Sequence, residues 1–443
     1  MRFPSSRAFQ EHLDRLGQFR MKLGLHRIEH ALARLDLLRP PYRLVQVLGA
    51  NGKGSTATFL ASLAAEHGLK VGLYTSPHFL SPQERIRIVD KDGSRPLSDA
   101  LWLEAANHVG ELASTLPEAE DSLTYFETLT AMAAWAFVQE RVDLAVFEAG
   151  LGGRHDATSA FYPELTLFTR IGLDHCAVLG NTIEQIAEDK AGALKPGGRA
   201  FSCEQPEAAW RALQAEARSK CARLLPVSQI LEPVIEDGRL VRIRCNEDAC
   251  PGQSLEQPRL GLLGPHQIQN AMTALAGWVC LAQGAAEEQA CLRGLARARI
   301  PGRLQRVPAA EGLPEILLDG AHNPDGLEAL GQALRVLNIV PSAVIFACLA
   351  DKDLPGMADQ VAALGPGPIL VPELPDQPRA LPAADIAQAL EERAPGRVHA
   401  ARDLGDALAR ASQSAPGGMM LICGSLFLLA EFFKLRPACL TWG

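Results

Sequence analysis

The sequence predicts an α/β protein with two domains, a larger one built on a mostly parallel sheet and a smaller α/β unit after it. Three observations lead there. Near-continuous apolar runs such as "YRLVQVLG" (42–49), "VDLAVFEAG" (142–150) and "LTLFTRIGLDH" (165–175) read as strands buried on both faces. They alternate with helical segments, the pattern of a sheet covered by helices. The chain has 443 residues, more than one ordinary domain holds.

Composition narrows the class. Hydrophobic residues make up 47% and charged residues 21%, the balance of a globular protein with large cores. A net charge of −8 gives no reason to expect a nucleic-acid partner, so an anionic ligand must be held by local features. The 10 cysteines include no Cys-x-x-Cys pair, Cys245 and Cys250 being the closest, and Cys280, Cys348 and Cys423 sit in apolar runs. This predicts reduced, mostly buried thiols in a cytoplasmic protein. The start, "MRFPSSRAFQEHLDRL", has no apolar signal core, and no window approaches an uninterrupted membrane span, so a soluble protein is expected.

Along the chain, the strand 42–49 feeds a glycine loop and then "STATFLASLAAEHG", read as an amphipathic helix closed by Gly68. "KVGLYTSP" is a second strand, ended by Pro77. "YFETLTAMAAWAFVQE" (125–140) is too apolar for a surface helix and is expected against the sheet. The stretch 222–263 reads as a small β-rich insertion, after which helices resume at "HQIQNAMTALAGWVCLAQG" and "AEEQACLRGLARA". "RIPGRLQRVPAAEGLP" (299–314) is rich in Pro, Gly and Arg and reads as a linker between a first domain, 1–298, and a second, 315–443. In the second, "EILLDG", "SAVIFACLA", "PILVPEL" and "GMMLICG" alternate with helices.

The glycine loop "GANGKGS" resembles a phosphate-binding loop but departs from its G-x-x-x-x-G-K-[ST] pattern. Val47 stands at the first glycine position and Gly54 where a hydroxyl belongs, with Ser55 and Thr56 following late. Backbone amides at the helix start can still cradle phosphate, with Lys53 as the point charge. A plain tight turn is the competing reading. Ser76 ends one strand, Glu148 another and His175 a third, on the sheet edge where ligands bind in open α/β folds. If those strands are neighbours, the three side chains converge near the phosphates, and Ser76 supplies the hydroxyl ligand that the loop lacks. Separately, a turn-forming Ser-Pro and a buried Glu paired with an arginine would also account for two of them. Mg²⁺ prefers oxygen, so one imidazole ligand is unusual but admissible. In "TIEQIAEDKAGALKPG", Thr182 with Gln185 reads as a capping box. Ile183, Ile186, Ala187 and Lys190 then share an apolar face, where desolvation and nearby Mg²⁺ should depress the lysine pKa, unless its stem snorkels to solvent.

These stretches occur in a recognisable order. "GANGKGS", "TSPHFLSPQERIRI", "GLGGRHDAT", "LDHCAVLG", "EDKAGALKPG", "GPHQIQNAMTAL", "PGRLQ", "DGAHNPDG", "DKD" and "CGSLFLLAE" together resemble the folylpolyglutamate synthase/dihydrofolate synthase family, relatives of the Mur ligases. The resemblance runs from "FRMKLGLHRI" to "GSLFLLAE". It implies an N-terminal P-loop-type ATPase domain, a smaller C-terminal Rossmann-like α/β domain, and ATP-dependent ligation of L-glutamate through an acyl phosphate. Asn51, Gly52, Lys53, Gly54 and Ser55 would bind phosphates, while Asn270, Arg303 and Asp319 would hold the nucleotide. Ser76, Glu148 and His175 would bind Mg²⁺, and a carbamylated Lys190 a second Mg²⁺. Arg85, His322 and Ser425 are similar to a glutamate-binding set, with His322 and Asp319 approaching ATP from the second domain. Thr124, Phe126, Asp156 and Ala157 resemble the pterin-binding segments of bifunctional members, which glutamylate dihydropteroate and reduced folates.

Simpler roles stand beside these: Asn270 as a helix cap, Arg303 in a linker ion pair, Ser425 as the N-cap of "LFLLAEFF", and Phe126 as the start of a buried helix. The sequence departs from the family pattern at Ala50, Ser159 and Asp189, where threonine, asparagine and glutamate are usual. The competing functions are a monofunctional folylpolyglutamate synthase, a Mur-type amino-acid ligase and a non-catalytic nucleotide switch. A loop beginning by residue 49 leaves no room for the extra N-terminal domain of Mur-type chains, and a switch needs no Asp319/His322 pair. The chain is expected to act as a monomer on small molecules.

Overall fold

Strands β1 (Arg43–Leu48), β2 (Val71–Tyr74), β3 (Ile86–Asp90), β4 (Gly93–Pro96), β5 (Leu144–Glu148), β6 (Leu165–Phe168), β7 (Arg199–Ser202) and β8 (Arg223–Pro226) form one sheet, ordered β4-β3-β2-β5-β1-β6-β7-β8. It is parallel from β2 through β8, with β3 and β4 added antiparallel at one edge. The computed structural model describes residues 2–18, 22–113, 122–236, 239–246, 254–310, 312–414 and 417–442. Phe19 to Met21, at the head of the first family-like motif, and Cys250 lie outside these.

The central strands are buried throughout because β-branched and aromatic residues occupy both faces. Strand β1 lies between β5 and β6, and the chain leaves it towards β2 on one side and returns to β6 on the other. That reversal puts a crevice beyond the carboxyl ends of β5, β1 and β6.

Helix Lys53–Glu66 departs from the amphipathic expectation, since all residues from Ser55 to Ala65 are buried. It packs on the sheet and also against helix Glu288–Arg297. The approach is close enough that a Cβ at Gly294 would lie 2.7 Å from the Cα of Leu63. Small Ala, Ser and Thr side chains make such contact possible, and period alone cannot distinguish a second covering helix from solvent. The helix ends at His67, and Gly68 follows at φ +89°. Helix Tyr125–Gln139 lies in the largest apolar cluster with Phe137 and Phe147, as its composition suggests.

The 222–263 stretch is only partly an insertion. Residues 223–226 are β8 of the main sheet, and β9 (Leu231–Glu236), β10 (Arg239–Cys245) and β11 (Ser254–Glu256) form a separate antiparallel sheet. Cys245 there is disulfide-bonded, against the expectation of reduced thiols, while eight cysteines among the described residues are free.

The chain divides into one unit of residues 1–259 and 269–298 and a second of 260–268 and 299–443. In the second, β12 (Gln305–Val307), β13 (Ile316–Leu318), β14 (Ala343–Phe346), β15 (Ile369–Pro372), β16 (Val398–Ala401) and β17 (Met420–Cys423) form a sheet ordered β12-β13-β17-β14-β15-β16. It is parallel except for β12. Within the stretch 299–314, residues 305–307 form β12 and pair with β13, and the stretch groups with the second unit, as do residues 260–268. Proline and glycine signalled tight turns here, which a strand entrance needs as much as a linker does. Among the described residues no helix is long and apolar enough to cross a membrane.

Gly294→Ala tests the helix contact. Alanine gains about 1 kcal/mol of helix propensity, but overpacking against a backbone atom costs about 1–3 kcal/mol. A net loss of stability is expected, measured as a lower denaturation midpoint in urea; an increase would show that the two helices separate freely.

Candidate active site

At the end of β1 the chain turns sharply at Gly49, φ +148°, where a Cβ would collide with Oγ1 of Thr169 at 1.9 Å. The amides of Ala50 and Asn51 donate to the carbonyl of Arg170 at 3.0 and 3.3 Å. They brace the loop against the chain leaving β6. Gly52, at φ +88°, precedes helix Lys53–Glu66 and gives it no side-chain cap. The first-turn amides of Lys53, Gly54 and Ser55 precede any intrahelical acceptor, which is the arrangement that receives an anion. Lys53 folds back over the loop, its Nζ donating to the carbonyl of Ala50 at 2.9 Å.

Glu148, the last residue of β5, is buried, and its Oε2 accepts from the amide of Ser76 at 2.9 Å. Its carboxylate also abuts the first helical turn, since a Cβ at Gly54 would stand 3.4 Å from Oε2. Ser76 and Glu148 thus meet beside the phosphate loop. His175 differs from the expectation. Strand β6 ends at Phe168, where Thr169 turns aside to donate its hydroxyl to the carbonyl of Leu48. His175 lies seven residues further on, exposed, at φ +54°, with Nε2 3.7 Å from Oδ2 of Asp174. Among the described residues no three His, Cys, Asp or Glu side chains gather as a metal cage. One carboxylate, a hydroxyl and an imidazole would leave water to complete an Mg²⁺ shell, the usual habit of that ion.

Lys190, on helix Ile183–Ala191, is 4% exposed, so the snorkelling alternative fails. Burial, then the charge of Lys53, lowers its amine to about 7, opposed by Asp174, Asp189 and Asp156. Lys53, Lys190 and Asp174 therefore share one electrostatic neighbourhood. The capping box is half made: Oγ1 of Thr182 accepts from the amide of Gln185, whose own side chain accepts from Asn181 instead. Asp189 holds the glycine loop 150–156, its Oδ2 accepting from the amide of Gly153 at 2.8 Å. Ser159 donates to the carbonyl of Gly153 at 2.6 Å. The two departures from the family pattern are thus engaged in shaping that loop.

Asp156 is buried, and its carboxylate accepts from the amides of Gly150, Leu151 and Thr158 and from the Thr158 hydroxyl. Those four donors fill its acceptor capacity. The structure shows it organising the loop; a pterin contact requires exchange of one of these bonds. Burial raises its pKa despite them. Ala157 is buried beside it. Thr124 caps helix Tyr125–Gln139 in a capping box with Glu127, a T-x-x-E signal the sequence reading overlooked. Glu127 in turn forms a buried ion pair with Arg27 at 3.0 Å. The half-buried Phe126 ring packs 5.6 Å from Tyr74 and against Gly150, where a Cβ would approach its Cζ to 2.7 Å.

Asn270 lies inside helix Pro265–Ala282 and is not its cap. Its Oδ1 faces Gly52, at 2.2 Å from where a Cβ would stand, and its carbonyl accepts from Thr56 Oγ1 at 3.4 Å. Arg85 is 4% exposed, and Nε donates to Nδ1 of His78 at 2.9 Å. Its guanidinium carbon stands 5.3 Å from the Tyr125 ring centroid. Among the described residues it has no carboxylate partner. Arg87, fully buried on β3, was also overlooked; burial lowers it to about 9, opposed by the charges of Glu84 and Glu148.

In the second unit Asp319 follows β13, its two carboxylate oxygens accepting from the amides of Leu304 and Ala321, both at 2.9 Å. Arg303 lies over Gly320, where a Cβ would fall 2.5 Å from Nη1. The His322 Nδ1 lies 2.7 Å from the carbonyl of Gly320, fixing that nitrogen as the donor. Ser425 is the N-cap of helix Leu426–Leu435, accepting from the amide of Phe427 at 3.1 Å. The capping role is the one this geometry shows, with the hydroxyl proton left as a donor.

Known proteins resemble this chain over most of its length. Residues 47–277 match the Mur ligase middle domain and residues 302–426 the Mur ligase glutamate ligase domain. The chain is 35% identical over 358 residues to a dihydrofolate synthase/folylpolyglutamate synthase of Bacillus subtilis, covering 78% of this chain and 80% of the relative. A Mycobacterium tuberculosis folylpolyglutamate synthase solved with ADP superposes with a TM-score of 0.85 at 30% identity, covering 96% of this chain and 98% of that one. A bifunctional folylpolyglutamate synthase/dihydrofolate synthase with Mn, AMPPNP and L-glutamate bound gives 0.81 at 28% identity, over 97% and 98%. The chain belongs to the folylpolyglutamate synthase/dihydrofolate synthase family of the Mur ligases.

Proposed function

We propose that this protein is an ATP-dependent ligase that joins the amine of L-glutamate to a carboxylate of dihydropteroate and of reduced folates. The observation that carries the reading is the meeting of an uncapped helix start, Lys53 and the buried Glu148–Ser76 pair at one strand edge. The γ-phosphoryl of ATP passes to the acceptor carboxylate, giving an acyl phosphate and ADP. The glutamate amine then attacks the acyl carbon, and phosphate leaves.

Within this reading Lys53 and the amides of residues 52–55 hold the phosphates and neutralise charge as it moves. The loop residue Asn51 and Asn270 flank them, and Arg303 and Asp319 are the candidate nucleotide ligands that the second unit carries. Ser76, Glu148 and His175 hold Mg²⁺, which when bound supplies further charge neutralisation to the phosphate oxygens. Arg85 provides a buried cation for a carboxylate, and a desolvated charge without an opposite charge beside it is costly enough to argue for a ligand. His322 and Ser425 are the second unit's candidates for binding glutamate, while Thr124, Phe126, Asp156 and Ala157 shape the acceptor site. A second Mg²⁺ is held by a carbamate on Lys190, whose burial disfavours a bare ammonium. The protein acts as a cytoplasmic monomer.

Lys53→Ala is expected to abolish ligation, a loss of at least about 100-fold in turnover, with an unchanged unfolding midpoint. Near-wild-type turnover would remove this loop from ATP binding. Incubation with ATP, glutamate and either dihydropteroate or a reduced folate should glutamylate both acceptors; product from one alone reduces the activity to that acceptor. For Lys190, removal of CO₂ should lower turnover, and short carboxylates should partly restore Lys190→Ala. If neither CO₂ removal nor the substitution alters turnover, Lys190 is structural.

A further inference from the structure

We infer that His78 is the positioning residue of the glutamate site, holding the Arg85 guanidinium by its Nε so that both terminal nitrogens remain for a substrate carboxylate. The inference rests on the reading of Arg85 as a carboxylate ligand.

Both residues belong to one closed loop. The amide of Thr75 donates to the carbonyl of Arg85 at 2.9 Å and joins the loop's ends. Inside it, the Glu84 carboxylate accepts from the amides of Phe79, Leu80 and Ser81 at 2.8, 2.7 and 2.7 Å. With the Ser81 cap these bonds leave the backbone little freedom. Against this frame, a long arginine side chain would still sample many rotamers, a freedom that binding would have to remove. Two contacts remove that freedom: His78 Nδ1 accepts from Nε at 2.9 Å, and the Tyr125 ring lies 5.3 Å from the guanidinium carbon. A bond to Nε leaves Nη1 and Nη2 as donors, the fork that can grip a carboxylate in two places. An acidic partner at the position of His78 would satisfy the guanidinium and weaken its need for substrate. A neutral imidazole orients it without cancelling its charge. The same loop carries Ser76, so the metal and carboxylate ligands share one rigid frame.

The test uses the full chain with ATP, a reduced folate acceptor and variable L-glutamate. His78→Phe keeps a ring but removes the acceptor; His78→Asn places an amide oxygen near the position of Nδ1. The expectation for His78→Phe is a rise of about tenfold or more in the KM for glutamate, with the KM for ATP and the thermal midpoint unchanged. His78→Asn should recover most of the loss, and His78→Phe should add nothing in an Arg85→Ala background. If Arg85→Ala leaves the KM for glutamate unaltered, the carboxylate role of Arg85 fails, and this inference with it. If Arg85→Ala raises that KM but His78→Phe does not, or His78→Phe raises both KM values together, the positioning role alone is overturned.

Discussion

The buried carboxylate of Glu148 is the constraint around which the first unit is arranged. An ionised group at the end of a fully apolar strand must find donors or cations, or its burial is too costly. It takes the amide of Ser76 from the end of the neighbouring strand and lies against the helix start at Gly54. Its field reaches the buried Arg87 on β3. A Cβ at Gly54 would meet that carboxylate at 3.4 Å, van der Waals contact, so Glu148 lies directly against the phosphate loop.

The same device recurs wherever a loop must keep its shape. Asp156 gathers the amides of the glycine loop, Asp189 ties that loop to helix Ile183–Ala191, and Glu84 braces the turn before Arg85. In the second unit Asp319 draws Leu304, at φ +45°, and Ala321 together. A carboxylate receiving several amides is a strong, oriented acceptor. It rigidifies a loop without a large side-chain core. Ligand groups on such loops are held in place before substrate arrives, which reduces the reorganisation that a reaction would otherwise require.

Much of the candidate site was legible because strand ends and glycine turns are local features. Lys53, Ser76 and Glu148 stand where apolar runs stop, and a parallel sheet brings such ends to one edge. Lys190 was placed on the buried face by its period. His175 was misplaced because "LTLFTRIGLDH" continues its apolar character after the hydrogen-bonded strand has ended at Phe168. Hydropathy does not mark where pairing stops: Ile171 is buried, yet Leu173 and His175 are exposed. Glu127 pairs with Arg27 100 residues away, outside any local window, whereas His78 stands seven residues from Arg85 within one motif, and a single side-chain hydrogen bond leaves no mark on composition or period.

The sequence by itself determined the alternation of strands and helices, the apolar faces and the residue types at the strand ends, since each depends on neighbours within a few positions. Strand order, and with it β1 between β5 and β6, was decided only by the tertiary structure. So were the burial of Ser55–Ala65 beneath a helix more than 200 residues later and the pairing of residues 305–307 with β13. Those outcomes rest on contacts between segments distant in the chain. Proline, glycine and hydrophobic period report the local backbone, whereas the identity of the surface that covers it is a property of the whole fold.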